Sequence, residues 1–344
     1  MIEISIIIPT FNRAESLRLT LESIVRQDYD KNKYNIYVVD NASTDHTSLV
    51  VQEFCSKHTE YNLKYLTEPV PGTLAARHCG SLKSNGDILV FTDDDVDFDN
   101  GWLSSIVKAF NDPVVQIVGG KSLPKYETEP PNWLNIFWHN TPYEGKMCGY
   151  LSLIDLGDTR LHIDANYIWS LNLAIRRKAL FDLGGFNPGI VPKHMQKFQG
   201  DEEGGLTIKA NKNKYKSIYD PKALVYHRIP AYRFTPEYFE ERAYYQGICD
   251  SFTAIRYNGG LNSGELKNNH LIAHIKYPYQ YIYRLSKKLL NNIGYDNISK
   301  QIKKRADRAY IDGYYFHQNA VKDNDRLLEW VLRKDYWDYR FPKI

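Results

Sequence analysis

Cysteine is scarce: Cys55, Cys79, Cys148 and Cys249 are the only 4 in 344 residues, and no two stand in a CxxC spacing. Neither a disulfide framework nor a structural zinc site is therefore expected to hold the fold, and reduced thiols point to a cytoplasmic setting. Long hydrophobic runs are also missing. No stretch approaches the ~18 apolar residues that span a bilayer, and the opening MIEISIIIPT has no basic leader, so neither secretion nor membrane spanning is expected. Net charge is only +3, which argues against nucleic acid as a partner. What is present is a chain with 43% hydrophobic and 25% charged residues, apolar enough to bury a core and too varied to be disordered. Charge is unevenly spread. Leu261 to Ile344 hold 16 basic and 9 acidic residues, leaving the remainder mildly acidic.

The period of the apolar residues sets the expected elements. ISIII (4–8), ended by Pro9, YNIYVVD (34–40), NLKYL (62–66) and DILVFT (87–92) are short apolar runs bounded by breakers, as in buried parallel strands. Between them Leu17, Leu21, Ile24 and Val25 recur at helical spacing, Ser43 or Thr44 is placed to cap a helix running through Leu49–Phe54, and another helix follows Gly72. Strands alternating with helices predict a doubly wound α/β unit over the first ~120 residues. Residues 124–140, rich in proline and tryptophan, read as a loop that interrupts the sheet. A strand is expected at 169–177, short helices at 178–183 and 202–212, and an almost wholly helical pattern after Pro236, with a boundary near residue 260. Within that last region, 270–290 combines Leu271, Ile275, Tyr279, Ile282 and Leu289 with Lys276, Arg284, Lys287 and Lys288. Such a segment suits peripheral contact with an anionic membrane, or packing on its own domain.

Several motifs carry chemistry. Asp93-Asp94-Asp95 follows an apolar strand directly, and three adjacent carboxylates in a low dielectric require a cation beside them. Mn²⁺ or Mg²⁺ suits oxygen ligands together with substrate phosphate. In an extended chain Asp93 and Asp95 would share one side, with Asp94 opposite. Pro9-Thr10-Phe11-Asn12-Arg13 lies beyond a strand's carboxyl end, where open α/β sheets bind ligands, and offers amides, a hydroxyl and a guanidinium to an anion. Asp40, followed by Asn41, can accept from the imide N–H of a uracil ring, while the Ser/Thr/Asp cluster behind it reads as a helix cap. Gly72 permits close approach of a helix start, and Arg77 offers a fork to phosphate or is an ordinary helix arginine. Gly200-Asp201-Glu202-Glu203 places three acids at a helix start, where the helix dipole alone would favour them.

PTFNR, VVDNASTD, the 72–80 stretch, FTDDDVDF, NLAIRR with GGFN, and GDEE, in this order, resemble the family 2 inverting glycosyltransferases of the GT-A fold, over residues 3 to about 230. The resemblance implies an α/β fold with a Rossmann-like, mainly parallel sheet flanked by helices, followed by a helical C-terminal extension. It implies a GT-A domain over 1–260, with a nucleotide-sugar half over about 1–120 and an acceptor half over about 121–260. A basic, tyrosine-rich helical region would occupy 261–344. Pro9, Thr10, Asn12, Arg13, Asp40, Asn41, Gly72, Arg77, Asp93 and Asp94 would then line the site of a nucleotide-sugar donor, UDP-linked. Asp93 and Asp95 would form the metal and diphosphate site, and His227 would complete the metal shell unless it is structural. Glu203 first, then Glu202 or Asp201, would be the catalytic base. Trp169 and Asn172 would contact sugar hydroxyls, although Trp169 also suits a core. The acceptor would be a hydroxyl of a glycan or a lipid-linked glycan, placing the enzyme in the cytoplasm or peripherally on the inner face of the plasma membrane. Two other classes compete: a sugar-phosphate nucleotidyltransferase, which would want a glycine-rich basic loop that PTFNR lacks, and a non-catalytic glycan-binding protein, against which the aspartate triplet argues.

Overall fold

The structure, a computed structural model, describes residues 2–261 and 296–343. The first apolar run forms β1 (Ile4–Thr10), buried at every residue. It pairs in parallel with β2 (Tyr34–Asp40) on one side and β4 (Ile88–Thr92) on the other, and β3 (Leu63–Thr67) adds to β2 in parallel. Helices α1 (Ala14–Ile24), α2 (Thr47–Lys57) and α3 (Thr73–Lys83) connect them. In α1 the buried face is Leu17, Leu21 and Ile24, each contributing roughly 1.5–3 kcal/mol of transfer free energy. Pro9 lies inside β1 rather than ending it. The β1–β4 ladder stops at Ile7 opposite Phe91, while pairing with β2 runs on to Thr10, so the missing proline N–H falls where one neighbour has already left. The α2 helix starts at Thr47, and Asp45 accepts from Thr47 N (3.0 Å) in place of a Ser43 or Thr44 cap.

Beyond β4 come β5 (Val96–Phe98), α4 (Trp102–Phe110) and β6 (Val115–Tyr126). The strand β6 continues through Pro124 instead of breaking there. Its partner is β12 (Lys216–Ile229), aligned in parallel with Pro124 opposite His227. Small strands β7 (His139–Asn140), β8 (Lys146–Cys148) and β9 (Leu153–Ile154) extend the sheet, and β10 (Leu161–His162) pairs with β12. The strand β11 (Asn172–Arg176) inserts antiparallel between β4 and β6, giving the order β3-β2-β1-β4-β11-β6-β9-β8-β7. Two short helices, α5 (Arg177–Asp182) and α6 (Glu203–Lys212), lie near their expected places.

The C-terminal helices α7 (Pro236–Asn258), α8 (Asn297–Lys322) and α9 (Asp325–Leu332) pack on this sheet. Trp330, Val331 and Tyr336 share an apolar cluster with Ile7 and Phe91, and Trp337 stacks on both His78 and Phe181, at 4.3 Å from each. Helices α7 and α8 cross at two glycines. A Cβ on Gly247 would lie 2.1 Å from Tyr310 O, and one on Gly313 2.0 Å from Tyr244 O, so only glycine admits this backbone contact. Among the described residues no helix is long and apolar enough to cross a membrane. The basic segment 270–290 lies outside the described residues.

Candidate active site

The carboxyl ends of β1, β2 and β4 meet at one edge of the sheet, where Thr10, Asp40 and the aspartate triplet gather. The triplet is not extended. β4 ends at Thr92, and Asp94 and Asp95 form a turn into β5, so two-residue alternation does not apply. Asp93 receives Arg77 Nη2 (2.9 Å). Asp94 accepts from Thr10 Oγ1 (2.8 Å) and Arg13 (3.0 Å), and the same Arg13 nitrogen reaches Asp95 Oδ2 (3.0 Å). Burial pushes the Asp94 carboxyl up to about 6 in spite of Arg13, and the charge on Asp95 adds to the rise. Burial also opposes ionisation of Asp95, but His227 when it is protonated, Arg233 and Arg13 outweigh it and hold that carboxyl well below the usual range.

Asp95 and His227 have the chemistry of a cation site. His227 Nδ1 lies 2.8 Å from Leu151 O; a carbonyl can only accept, so Nδ1 donates and the neutral ring keeps its lone pair on Nε2. That Nε2 stands 3.3 Å from Asp95 Oδ1, an oxygen that is buried with no hydrogen-bond partner. The spacing suits neighbouring ligands of an octahedral ion bound at roughly 2.1 Å. Arg233 already supplies positive charge here, donating from Nη1 to His227 Nε2 and from Nη2 to Asp95 Oδ2, both at 2.9 Å. Among the described residues no cluster of three or more His, Cys, Asp or Glu side chains forms a protein-only cage.

Several expected donor residues instead hold the edge together. Asn12, at φ 51°, accepts from Thr44 N (2.7 Å) and binds the first loop to the second. Asn41 donates to Glu68 O and Val70 O, and accepts from Gly72 N (2.7 Å). Asp40 accepts from Ser43 N (2.8 Å) and from the Tyr65 hydroxyl, leaving one lone pair on each oxygen. Arg77 is buried, and its guanidinium lies between Asp93 and Glu202, so its fork is occupied by carboxylates. Asn172, expected at sugar hydroxyls, is a buried clamp: it accepts from Trp102 Nε1 (2.9 Å) and donates to Lys121 O and Ala223 O.

A cleft beside this edge is lined by Trp169, Asp201, Glu202, Glu203, Arg242, Tyr245, Gln246 and Cys249, among others. The three acids differ sharply. Asp201 is buried and tied by Asn187 Nδ2 (2.8 Å) and the Thr253 hydroxyl (2.5 Å). Glu202, at φ 48°, holds a backbone conformation that disfavours a side chain, and it is ion-paired to Arg77. Glu203 has the least committed carboxylate, touched by Ser170 Oγ at 3.3 Å. Burial pushes its carboxyl up, against the opposing pull of Arg77. The motif reading missed Arg228, Arg233, Ser170, Thr253 and Arg242. Arg228 and Arg233 were detectable in principle, since HRIPAYR sets cations one and six residues after His227 and the buried aspartates demanded positive charge.

Fold and site together define a GT-A type transferase domain. The chain belongs to glycosyl transferase family 2, whose family model matches residues 5–180. Among curated proteins it is 37% identical over 118 residues to glycosyltransferase AglE of Haloferax volcanii, covering 34% of this chain and 38% of that protein. It is 39% identical over 87 residues to a Methanococcus voltae dolichyl N-acetyl-α-D-glucosaminyl phosphate 3-β-D-2,3-diacetamido-2,3-dideoxy-β-D-glucuronosyltransferase, covering 25% of this chain and 27% of that one. The chain thus matches well under half the length of either relative. Among solved structures, mannosyltransferase PcManGT of Pyrobaculum calidifontis, in complex with GDP-Man and Mn²⁺, shares the fold with a TM-score of 0.52 at 21% identity, over 98% of this chain and 88% of that one.

Proposed function

We propose that the protein is a metal-dependent inverting glycosyltransferase that moves a sugar from a UDP-linked donor to a hydroxyl of a glycan or lipid-linked acceptor. The observation that carries this reading is the convergence of Asp95 Oδ1 and His227 Nε2 at the sheet's ligand edge, beside the cleft that holds Glu203. In this reading residues 1–120 serve the donor and 121–260 the acceptor. Thr10 and the open lone pairs of Asp40 face the nucleotide, and Trp169 offers a ring face to a pyranose.

Mn²⁺ or Mg²⁺ would be held by Asp95 and by His227 Nε2 in place of its hydrogen bond from Arg233, together with diphosphate oxygens, and would supply positive charge to the leaving group. The base is Glu203. Its carboxylate takes the proton of the acceptor hydroxyl as that oxygen bonds to the anomeric carbon, while the bond to the diphosphate breaks and its electrons leave with the nucleotide. Burial raises the basicity of Glu203, and Ser170 orients its Oε2. Arg77 joins the two halves by bridging Asp93 and Glu202, which holds the acid loop against the donor edge. The nucleotidyltransferase reading loses its basic-loop residue, since Arg13 is committed to Asp94 and Asp95.

Calorimetry of UDP with and without Mn²⁺ tests the central point. Binding should require the ion in the wild type and vanish in His227→Ala; equal affinity with and without Mn²⁺ would remove the metal site from the proposal. A thermal-shift panel of UDP- and GDP-sugars then reads the choice of base.

A further inference from the structure

One arginine in the acceptor cleft has no role in the chemistry above. Helix α7 turns Arg242, Tyr245, Gln246 and Cys249 toward the cleft, positions i, i+3, i+4 and i+7 of a single helical face. That face is fixed relative to the acid loop, because Thr253 holds Asp201 (2.5 Å) and Cys249 Sγ reaches Gly200 O (2.9 Å). Arg242 precedes Cys249 by two turns, roughly 10 Å along the axis.

The other arginines around the site, Arg13, Arg77, Arg228 and Arg233, each lie against a carboxylate. Arg77 and Arg233 also bury an Nε without a hydrogen-bond partner, but carboxylates neutralise their heads, whereas Arg242 forms no ion pair among the described residues and its own buried Nε is unmet as well. An arginine that merely rests its stem on a helix keeps its head in water. Here a donor of the head itself is withdrawn from water and left open. Leaving such a donor unmet is costly, and Nε with one Nη forms the planar fork that matches two oxygens of an oxyanion.

We infer that the acceptor carries an oxyanion, a phosphate or a carboxylate, that docks on Arg242 in the cleft that holds Glu203. This rests on reading the cleft as the acceptor site. Glu203 and Arg242 line the same cleft, so one acceptor can present its hydroxyl to the first and its oxyanion to the second. Phosphate would come from a lipid-phosphate-linked sugar, and carboxylate from a uronic acid within a glycan; both present the same paired oxygens to the fork.

The test uses the full chain with UDP and Mn²⁺ present, and compares three probes by calorimetry and saturation-transfer NMR: octyl glucosyl phosphate, methyl glucuronide and neutral methyl glucoside. In the wild type at least one anionic probe should bind about 10-fold more tightly than the glucoside, as expected for a charge-assisted pair. Arg242→Gln should close that gap to about twofold, and Arg242→Lys, which keeps the charge but not the fork, should recover part of it. Preference for the phosphodiester identifies a lipid-phosphate type of acceptor, and preference for the glucuronide an acidic glycan. Equal binding of all three by the wild type, or a gap that survives in Arg242→Gln, overturns the inference. Should Arg242→Gln fail to fold, unchanged anionic affinity in Arg242→Lys overturns it instead. Manganese-dependent UDP binding reads the transferase proposal separately, so the two can fail independently.

Discussion

The two sides of the site are prepared in opposite ways. On the donor edge every aspartate of the triplet is already matched by an arginine: Asp93 by Arg77, Asp94 by Arg13, and Asp95 by Arg13 and Arg233. In the acceptor cleft Glu203 has one long contact, while Arg242 Nε and Gln199 Oε1 are buried without partners. The first arrangement keeps a dense negative cluster folded before any ligand arrives, with Asp95 Oδ1 the one oxygen of the triplet that is buried without a hydrogen-bond partner. The second leaves polar atoms open for a substrate to complete. Asp95→Ala should break the first arrangement most severely, because it strands Arg233 against His227 in a buried setting. We expect a loss of about 3–5 kcal/mol in denaturant unfolding, together with loss of manganese-dependent UDP binding. A stable variant that still binds UDP with Mn²⁺ would show that the arginines, not the aspartate, organise this edge.

The next largest effect belongs to the open side. Glu203→Gln should lower turnover by about 100-fold or more while donor affinity holds, measured as kcat against the dissociation constant for UDP. Near-normal turnover would move the base to Glu202 or Asp201. The wild-type pH profile sharpens the same point. The base must be deprotonated, and burial raises its pKa, so kcat should fall as pH drops through a value above the ordinary glutamate range. An acidic limb at an ordinary glutamate value would mean that the cleft does not desolvate this carboxylate during turnover.

Asn172→Ala comes third. It removes three hydrogen bonds, two of them fully buried, and leaves Trp102 Nε1 unmet, which should cost about 3 kcal/mol of stability. The KM for acceptor should stay within about twofold, because the residue holds β11 to its neighbours rather than touching sugar. A KM that rises without a change in stability would return Asn172 to the substrate.

These expectations show where sequence reading succeeds and where it stops. The alternation of ISIII, YNIYVVD and DILVFT with amphipathic helices was legible because burial on both faces leaves unbroken apolar runs. Pro124 misled, since a proline is compatible with a strand whose second edge is unpaired: β11 and β9 pair with β6 only as far as Ser122, while β6 runs on beside β12 to Tyr126. The need for a cation beside Asp93–Asp95 was also legible. Its source was not, because Arg13, Arg77 and Arg233 lie from 16 to 138 positions away from their partners in the chain. Side-chain alternation failed for Asp93 and Asp95 because it presumes an extended backbone, and the chain turns there. Glycine and acid spacing around residue 202 marked a helix start correctly, but nothing in GDEE distinguishes the tied Asp201 from the open Glu203. That distinction depends on Asn187 and Thr253, which only the fold brings near.

Thr253 therefore offers the gentlest probe of the contrast. Its hydroxyl donates to Asp201 Oδ2 from α7, so Thr253→Val deletes one charge-assisted hydrogen bond with little change in shape, at an expected cost of about 1.5 kcal/mol. If Asp201 only fixes the loop to α7, the loss should appear as a lower midpoint in thermal unfolding, with kcat reduced no more than about threefold, because Glu203 keeps its own contact with Ser170. Thr253→Ser, which keeps the hydroxyl, should recover most of the stability. If Asp201 were instead the base, loss of this donor would act on the reacting carboxylate itself, and the acidic limb of the kcat profile would move in Thr253→Val and return in Thr253→Ser. A limb that stays in place while stability falls assigns Asp201 to the scaffold and leaves Glu203 as the carboxylate that titrates during turnover.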